Sequence, residues 1–382
     1  MFNSTVSLEK FLSDYWQKSP LLFKQAFPAF SDPLSPEELA GLACEEEVES
    51  RLVSHKQDTW LLQNGPFSED EFTALPETDW TLLVQSVDVW FTKLKSLYSH
   101  FSFIPDWRFD DIMVSYAADQ GGVGPHFDYY DVFIIQGQGK RRWQLGDTCN
   151  ELTPLQSNSE LKILKHFKPH DEFLLETGDM LYIPPGHSHY GVSLGPSLSY
   201  SIGFRAPSHA ELMDEFCTHL SEQLSEQQRY QDGRLMPQQE TAEITPSTLQ
   251  SVQDIIKALA QDKQAVLCSF AETMTRRKYA EQQYLPERTL SPDELLTGIQ
   301  SMVLEKHPAA RFAFSVLDKT LYLFADGTGF RLDAEDADLH ELVRQLCDRQ
   351  FTGLALTDVM HSNSRLSLVC SLYNQGSLIS ID

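Results

Sequence analysis

Long apolar runs, paired cysteines and basic clusters are all missing from this sequence. No apolar stretch approaches the ~20 residues that cross a bilayer, so no membrane helix is expected. The first ten residues carry no basic segment leading into an apolar core, so a secretory signal is not expected either. The six cysteines (Cys44, Cys149, Cys217, Cys268, Cys347, Cys370) are scattered, with no Cys-x-x-Cys pair. That argues against a disulfide scaffold and a zinc ribbon, and fits reduced cysteines in cytoplasm. Cationic residues number 30 against 55 acidic ones, a formal charge of −25. Direct nucleic-acid binding is disfavoured, because phosphate contacts need clustered Lys and Arg, whereas a basic protein would be steered in. No βαβ alternation, Gly-rich phosphate loop or internal repeat is visible, so a nucleotide-binding fold is not expected.

What is present suggests several domains, since 382 residues exceed one ordinary core. Residues 1 to about 110 read as mainly helical. Leu8, Phe11, Leu12, Tyr15 and Trp16 recur at helical spacing before Pro20, and Ser35-Pro36-Glu37-Glu38 is a capping box. A further helix start is read at Thr78-Asp79-Trp80-Thr81, leading into Leu82, Leu83 and Val84. Short strands are expected at 21–23, and at 51–54 and 59–62 around His55-Lys56-Gln57-Asp58. From 110 to 204 the texture changes to strands at 111–116, 126–136, 141–145, 172–176, 180–183, 189–194 and 198–204. Gly, Pro and Asp turns separate them, which suggests a sandwich or barrel of the jelly-roll kind. Beyond 207, Leu212, Phe216, Leu220 and Leu224 form one amphipathic stripe, and Val252, Ile255, Ile256 and Leu259 another. Residues 226–250 read as an exposed connection. From 285 a capped helix carries Leu295, Leu296 and Ile299, followed by a hairpin at 312–316 and 321–324, helices near 339–347 and 364–373, and a terminal strand. This layout is winged-helix-like, without a basic recognition helix.

Two stretches carry chemistry: Gly121-Gly122-Val123-Gly124-Pro125-His126-Phe127-Asp128-Tyr129-Tyr130, and Pro184-Pro185-Gly186-His187-Ser188-His189. A His-x-acid pair is weak alone, since about two arise by chance in this composition, and His170-Asp171-Glu172 and His209-Ala210-Glu211 also occur. Strand alternation would put His126, Asp128, Tyr130, Val132 and Ile134 on one face. Two imidazoles and one carboxylate with open coordination positions is the facial arrangement of non-haem Fe(II) oxygenases. His187 and His189 share a parity, and spacing does not choose between them. Arg141 shares its face with Trp143 and Leu145, and a guanidinium inside an apolar barrel needs an anion. A dicarboxylate co-substrate would supply one; the alternative is a partly exposed Arg paired with a nearby acid. Met113 and Ser115 share a face on one strand, and Ser199 and Ser201 on another, and such positions leave room for a small ligand.

Four segments then resemble the Jumonji-C (JmjC) ribosomal oxygenases: Tyr15-Trp16-Gln17-Lys18-Ser19-Pro20-Leu21, residues 121–128, Gly178-Asp179-Met180-Leu181-Tyr182-Ile183-Pro184-Pro185-Gly186, and Ser199-Tyr200-Ser201-Ile202-Gly203-Phe204-Arg205. The likeness is strong over 1–206, and is to the bacterial branch, whose members hydroxylate an arginine of ribosomal protein sixteen of the large subunit. It implies an α+β fold: a double-stranded β-helix (jelly-roll, cupin/JmjC) with surrounding helices at 1–206. A helical dimerisation segment at 207–284 and a winged-helix-like domain at 285–382 would follow. It implies Fe(II) on His126, Asp128 and His189, because the family's second histidine stands three residues after Pro-Pro-Gly. His187 occupies a position where an apolar residue is more usual. Further implied are 2-oxoglutarate bound by Arg141 with Ser115 as a second contact, dioxygen as co-substrate, and hydroxylation of an arginine side chain at the β carbon. For that arginine, Asp111 and Tyr130 are the expected substrate contacts; alternatively Asp111 caps the strand start and Tyr130 packs in the core. The glycines before His126 read as a loop over the site mouth, where a peptide could approach closely. Expected partners are a basic large-subunit ribosomal protein and a second copy of the chain, in the cytoplasm, with no nucleic acid and no membrane. The rival readings are a JmjC N-methyl-lysine demethylase, a cupin-like metalloprotein without 2-oxoglutarate chemistry, and a binding module with a vestigial site.

Overall fold

A computed structural model describes the chain apart from residues 1, 57–58, 158–159, 234, 280–284, 299–302, 350 and 382. The turn positions Gln57 and Asp58, the helix position Ile299 and the segment boundary expected at 284 lie outside the described residues. The chain divides into two units, Met1–Ala206 and Pro207–Asp382. No described helix is long and apolar enough to cross a membrane.

The first unit carries eleven strands among the described residues: β1 (Leu21–Phe23), β2 (Ser50–Lys56), β3 (Thr59–Asn64), β4 (Trp80–Val84), β5 (Phe109–Ala117), β6 (Asp131–Gln136), β7 (Lys140–Thr148), β8 (Asp171–Glu176), β9 (Met180–Ile183), β10 (His187–Ser193) and β11 (Ser197–Phe204). Eight form one sheet in the order β1-β9-β6-β11-β5-β4-β2-β3, and three form a second, β10-β7-β8. Alternation explains the layers. On β6, Phe133 and Ile135 face a core with Phe11, Leu39 and Phe101 from the N-terminal helices and turns. Ile134 faces the opposite way, toward Leu181, Ile183, Trp143, Leu145 and Leu175, between the two sheets. A strand covered on both faces needs apolar residues pointing both ways, which is why Val132–Ile135 of β6 and Met180–Ile183 of β9 read as near-continuous apolar runs.

The N-terminal segment is less helical than expected. Trp80–Val84 is a strand paired with both β2 and β5. Asp79 at φ 68° and Ser86 at φ 51° bracket it with left-handed turns, so only Val87–Trp90 becomes helical. An apolar run of this length has no period that separates a buried strand from a helix. A second difference concerns 126–136: the strand begins at Asp131, and His126 joins β10 only through an isolated bridge to His189.

Asp131 fixes where β6 begins. Its carboxylate accepts from Tyr182 Oη at 2.6 Å, Arg108 Nη2 at 2.8 Å and Gln17 Nε2 at 3.1 Å. Burial raises its pKa above the ordinary carboxylate value despite those donors.

In the second unit, helix His209–Gln223 starts at a Ser208/Glu211 capping box. Helix Pro246–Ala260 begins inside the stretch expected to be an exposed connection. Lys263–Thr275 is a helix that sequence patterning missed, because its buried positions include Ala265, Ser269 and Thr275 rather than an apolar stripe. Val303–Lys306 lies between Leu354–Ala355 and Leu378–Ile381. The hairpin Phe312–Leu317 and Thr320–Ala325 gains a third strand, Thr328–Asp333. Helices Ala337–Cys347 and Asn363–Asn374 contribute Leu342, Val343, Val369 and Leu372 to the core of this unit.

Removing the buried acceptor should expose how much the Asp131 network holds. Asp131→Ala leaves Arg108, which is only 11% exposed, and Tyr182 without their acceptor. It is expected to lower the unfolding free energy by about 3–5 kcal/mol in urea denaturation; a loss under about 1 kcal/mol would show that packing alone sets the start of β6.

Candidate metal centre

The site is built on a backbone pair. His126 N–H donates to His189 O at 3.0 Å, and His189 N–H to His126 O at 2.8 Å. Each imidazole then uses Nδ1 locally: His126 toward Gly124 O and His189 toward His187 O, both at 2.9 Å. A carbonyl oxygen only accepts, so each Nδ1 carries the proton and each Nε2 keeps a lone pair. Both Nε2 atoms lie 3.6 Å from Asp128 Oδ2, and the three donor atoms fall within 4.8 Å of one another. Asp128 is held through its carbonyl, which accepts from Gly186 N–H at 2.7 Å. Burial first, and the neighbouring His126 second, hold His189 below its ordinary pKa and keep it neutral, as a ligand must be. Two neutral imidazoles and one carboxylate, with the Asp128 side chain 44% exposed, suit one divalent cation with positions left for other molecules.

The parity that left His187 and His189 equivalent is broken by a bulge. His187 pairs with Thr148 and His189 with Leu145, so β7 takes three steps where β10 takes two. Among the described residues the donor cluster contains His189 and not His187. His126 and Asp128 come together without the expected strand, since they precede β6. Tyr130 does not share their face inside the barrel; it is 43% exposed, next in the chain to Tyr129 at 53%.

The glycines before His126 serve the protein's own packing. A Cβ on Gly121 would stand 2.2 Å from Trp80 O, and one on Gly122 2.5 Å from Gly191 O. Gly124 lies at φ 81°, against Trp60 and Ile163. Close backbone approach is what these glycines permit, and the backbones approached are those of Trp80 on β4 and Gly191 on β10.

Arg141 lies inside the barrel, 6% exposed. Its Nη1 donates to Ser199 Oγ at 2.8 Å and Ser115 Oγ at 3.0 Å, and its Nη2 to Ser197 Oγ at 3.1 Å. Ser197 was not singled out from the sequence, although it shares the parity of Ser199 and Ser201 on β11. Burial lowers Arg141 to about 10, which leaves it cationic at neutral pH. No carboxylate pairs with it among the described residues, so the expected alternative of an exposed, acid-paired Arg does not hold. A buried cation with hydroxyl partners only is costly, and an incoming carboxylate would relieve that cost.

Asp111 is otherwise engaged. Its Oδ2 accepts from Gln85 Nε2 at 2.8 Å, Ser86 Oγ at 2.9 Å and Ser86 N at 3.1 Å. With 5% exposure, it holds the turn after β4 from the start of β5.

Comparison with known proteins agrees with this geometry. Residues 96–212 match the JmjC domain family. Over 381 residues, 98% of each chain, the sequence is 34% identical to the ribosomal protein uL16 3-hydroxylase of Escherichia coli K12. The chain belongs to the JmjC ribosomal oxygenases. The X-ray structure of E. coli YcfD is similar at a TM-score of 0.86, 33% identical and covering 100% of both chains. YcfD, a ribosomal oxygenase, in complex with cobalt and 2-oxoglutarate, matches at 0.85 and 32% identity over 100% of both. The donor cluster described above lies within the matched JmjC segment.

The ligand assignment is open to direct titration. His126→Ala, Asp128→Ala and His189→Ala are each expected to weaken Co(II) binding at least about 100-fold by calorimetry, while His187→Ala leaves it within a few-fold. Equal losses in His187→Ala and His189→Ala would overturn the choice between them. Because its pKa is lowered, His189 in the metal-free protein should remain neutral at pH 6 in nitrogen-15 NMR.

Proposed function

We propose that the protein is an Fe(II)- and 2-oxoglutarate-dependent hydroxylase that acts on the β carbon of an arginine in large-subunit ribosomal protein uL16. The observation that carries this reading is a buried, acid-free cation, Arg141, in the same barrel as the His126, Asp128 and His189 donor set. The name of the E. coli relative, a uL16 3-hydroxylase, supports the substrate and the carbon.

In this reading His126, Asp128 and His189 hold the iron, and Arg141 with Ser115, Ser197 and Ser199 holds the far carboxylate of 2-oxoglutarate. Bound together with dioxygen, these groups supply the oxidising power to replace an unactivated hydrogen by hydroxyl, with succinate and carbon dioxide as co-products. The protein's own residues orient and exclude. Trp143, Leu145, Ile134 and Leu175 form an apolar wall that keeps water from the barrel interior. Tyr130, exposed and two residues after Asp128 in the chain, offers an aromatic face to the stem of an incoming arginine. A chain with formal charge −25 draws in a basic ribosomal protein. Cytoplasm, where that protein is made, is the proposed location.

Residues 207–284 are proposed to pair two subunits, and 285–382 to form a winged-helix-like module. Support for pairing is an apolar stripe on helix Pro246–Ala260 that stays exposed: Leu249, Val252, Ile255 and Ile256.

Two measurements test these readings. Incubation with Fe(II), 2-oxoglutarate and ribosomal extract should add about 16 Da, one oxygen atom, to a large-subunit protein. Arg141→Ala should raise the KM for 2-oxoglutarate at least about 30-fold. No mass gain, together with no 2-oxoglutarate turnover, would sink the proposal. A Val252→Asp, Ile256→Asp double variant should be monomeric in light scattering where the parent is a dimer; an unchanged mass would remove this stripe from the interface.

A further inference from the structure

Trp143 is the inward residue of β7 between Arg141 and Leu145, and is 7% exposed. Register places Arg141 opposite Ser193, Trp143 opposite Gly191, and Leu145 opposite His189. Trp143 therefore occupies the interval between the guanidinium and the metal-binding imidazole, and its ring centre lies 5.9 Å from that of His189. The ring rests on Gly191: a Cβ there would meet Cη2 at 2.8 Å and Cζ2 and Cζ3 at 2.9 Å. Glycine at 191 thus lets the indole lie flat across β10, and any side chain would push it off.

That placement leaves one group unexplained. The indole N–H of Trp143 is buried and has no acceptor among the described residues. Buried indole donors ordinarily find one, since an unmet donor carries its full desolvation cost. A molecule that joins the metal to Arg141 must pass this ring, and 2-oxoglutarate has a carboxylate at each end.

We infer that Trp143 donates its indole N–H to a carboxylate oxygen of bound 2-oxoglutarate, a contact that rests on the function proposed above. Arg141 and the serines then fix the far end of the co-substrate by charge and hydroxyl bonds. Trp143 adds a donor of fixed direction, because its ring is held by the Gly191 backbone. The two together favour a dicarboxylate whose oxygens meet both donors over a 2-oxo monoacid that meets one.

The test reads the donor itself. Nitrogen-15-labelled protein loaded with diamagnetic Zn(II) gives an indole N–H resonance for each of its six tryptophans. Loss of a peak in Trp143→Phe assigns the one of interest. Addition of 2-oxoglutarate is expected to move that peak downfield. Replacing Trp143 by 3-benzothienylalanine keeps the ring shape and removes the donor. In calorimetry this replacement is expected to weaken 2-oxoglutarate binding about 10- to 100-fold. An unmoved Trp143 peak while calorimetry shows 2-oxoglutarate bound would overturn the inference, as would unchanged affinity in the benzothienyl variant. Failure of the parent protein to bind 2-oxoglutarate at all would overturn the function proposed above instead.

Discussion

Two backbone hydrogen bonds, exchanged between His126 and His189, are the constraint on which the site depends. They join a loop before β6 to the edge of β10, and they set both imidazoles in one small volume. Everything adjacent serves that pairing. Gly121 and Gly122 let the loop lie against β4 and β10 without a side chain between the backbones. The carbonyls of Gly124 and His187 then fix the tautomers, so neither ring nitrogen needs to be chosen by the metal. Net, each such bond contributes only about 0.5–1.5 kcal/mol, but the geometry they impose is shared by all three donors.

The barrel interior separates two electrostatic tasks. At the mouth, neutral imidazoles and one carboxylate offer lone pairs to a cation. Deeper in, Arg141 offers a positive charge to an anion, and its partners are hydroxyls that can rotate to donate as well as accept. An aspartate in place of any of those serines would neutralise Arg141 and repel an incoming carboxylate.

Much of this was legible in the sequence, for a physical reason. Strand alternation is local, so the inward direction of Arg141 and Trp143 follows from β7 alone, and the jelly-roll follows from the spacing of turns. The errors share a different cause. His126 and Asp128 were given strand parity, yet they sit in a loop held by one long-range bridge. His187 and His189 were inseparable because the bulge that separates them lies on the partner strand. The bonds from Gln85 and Ser86 to Asp111 were not legible because those residues are about 25 positions away and only the fold brings them together. Trp80–Val84 has no helical or strand period of its own, and only its neighbours on both sides make it a strand.

The hydroxyl cradle around Arg141 has one more consequence. A folded chain that keeps an unneutralised cation in its interior is less stable than its packing alone would make it. Whatever anion settles there binds the native state and not the unfolded one, so mass action couples folding to the supply of that anion. At a concentration one hundred times its dissociation constant the coupling is about 2.7 kcal/mol, a sizeable part of a typical domain's stability. Occupancy of the cradle and the folding stability of the chain would therefore rise together.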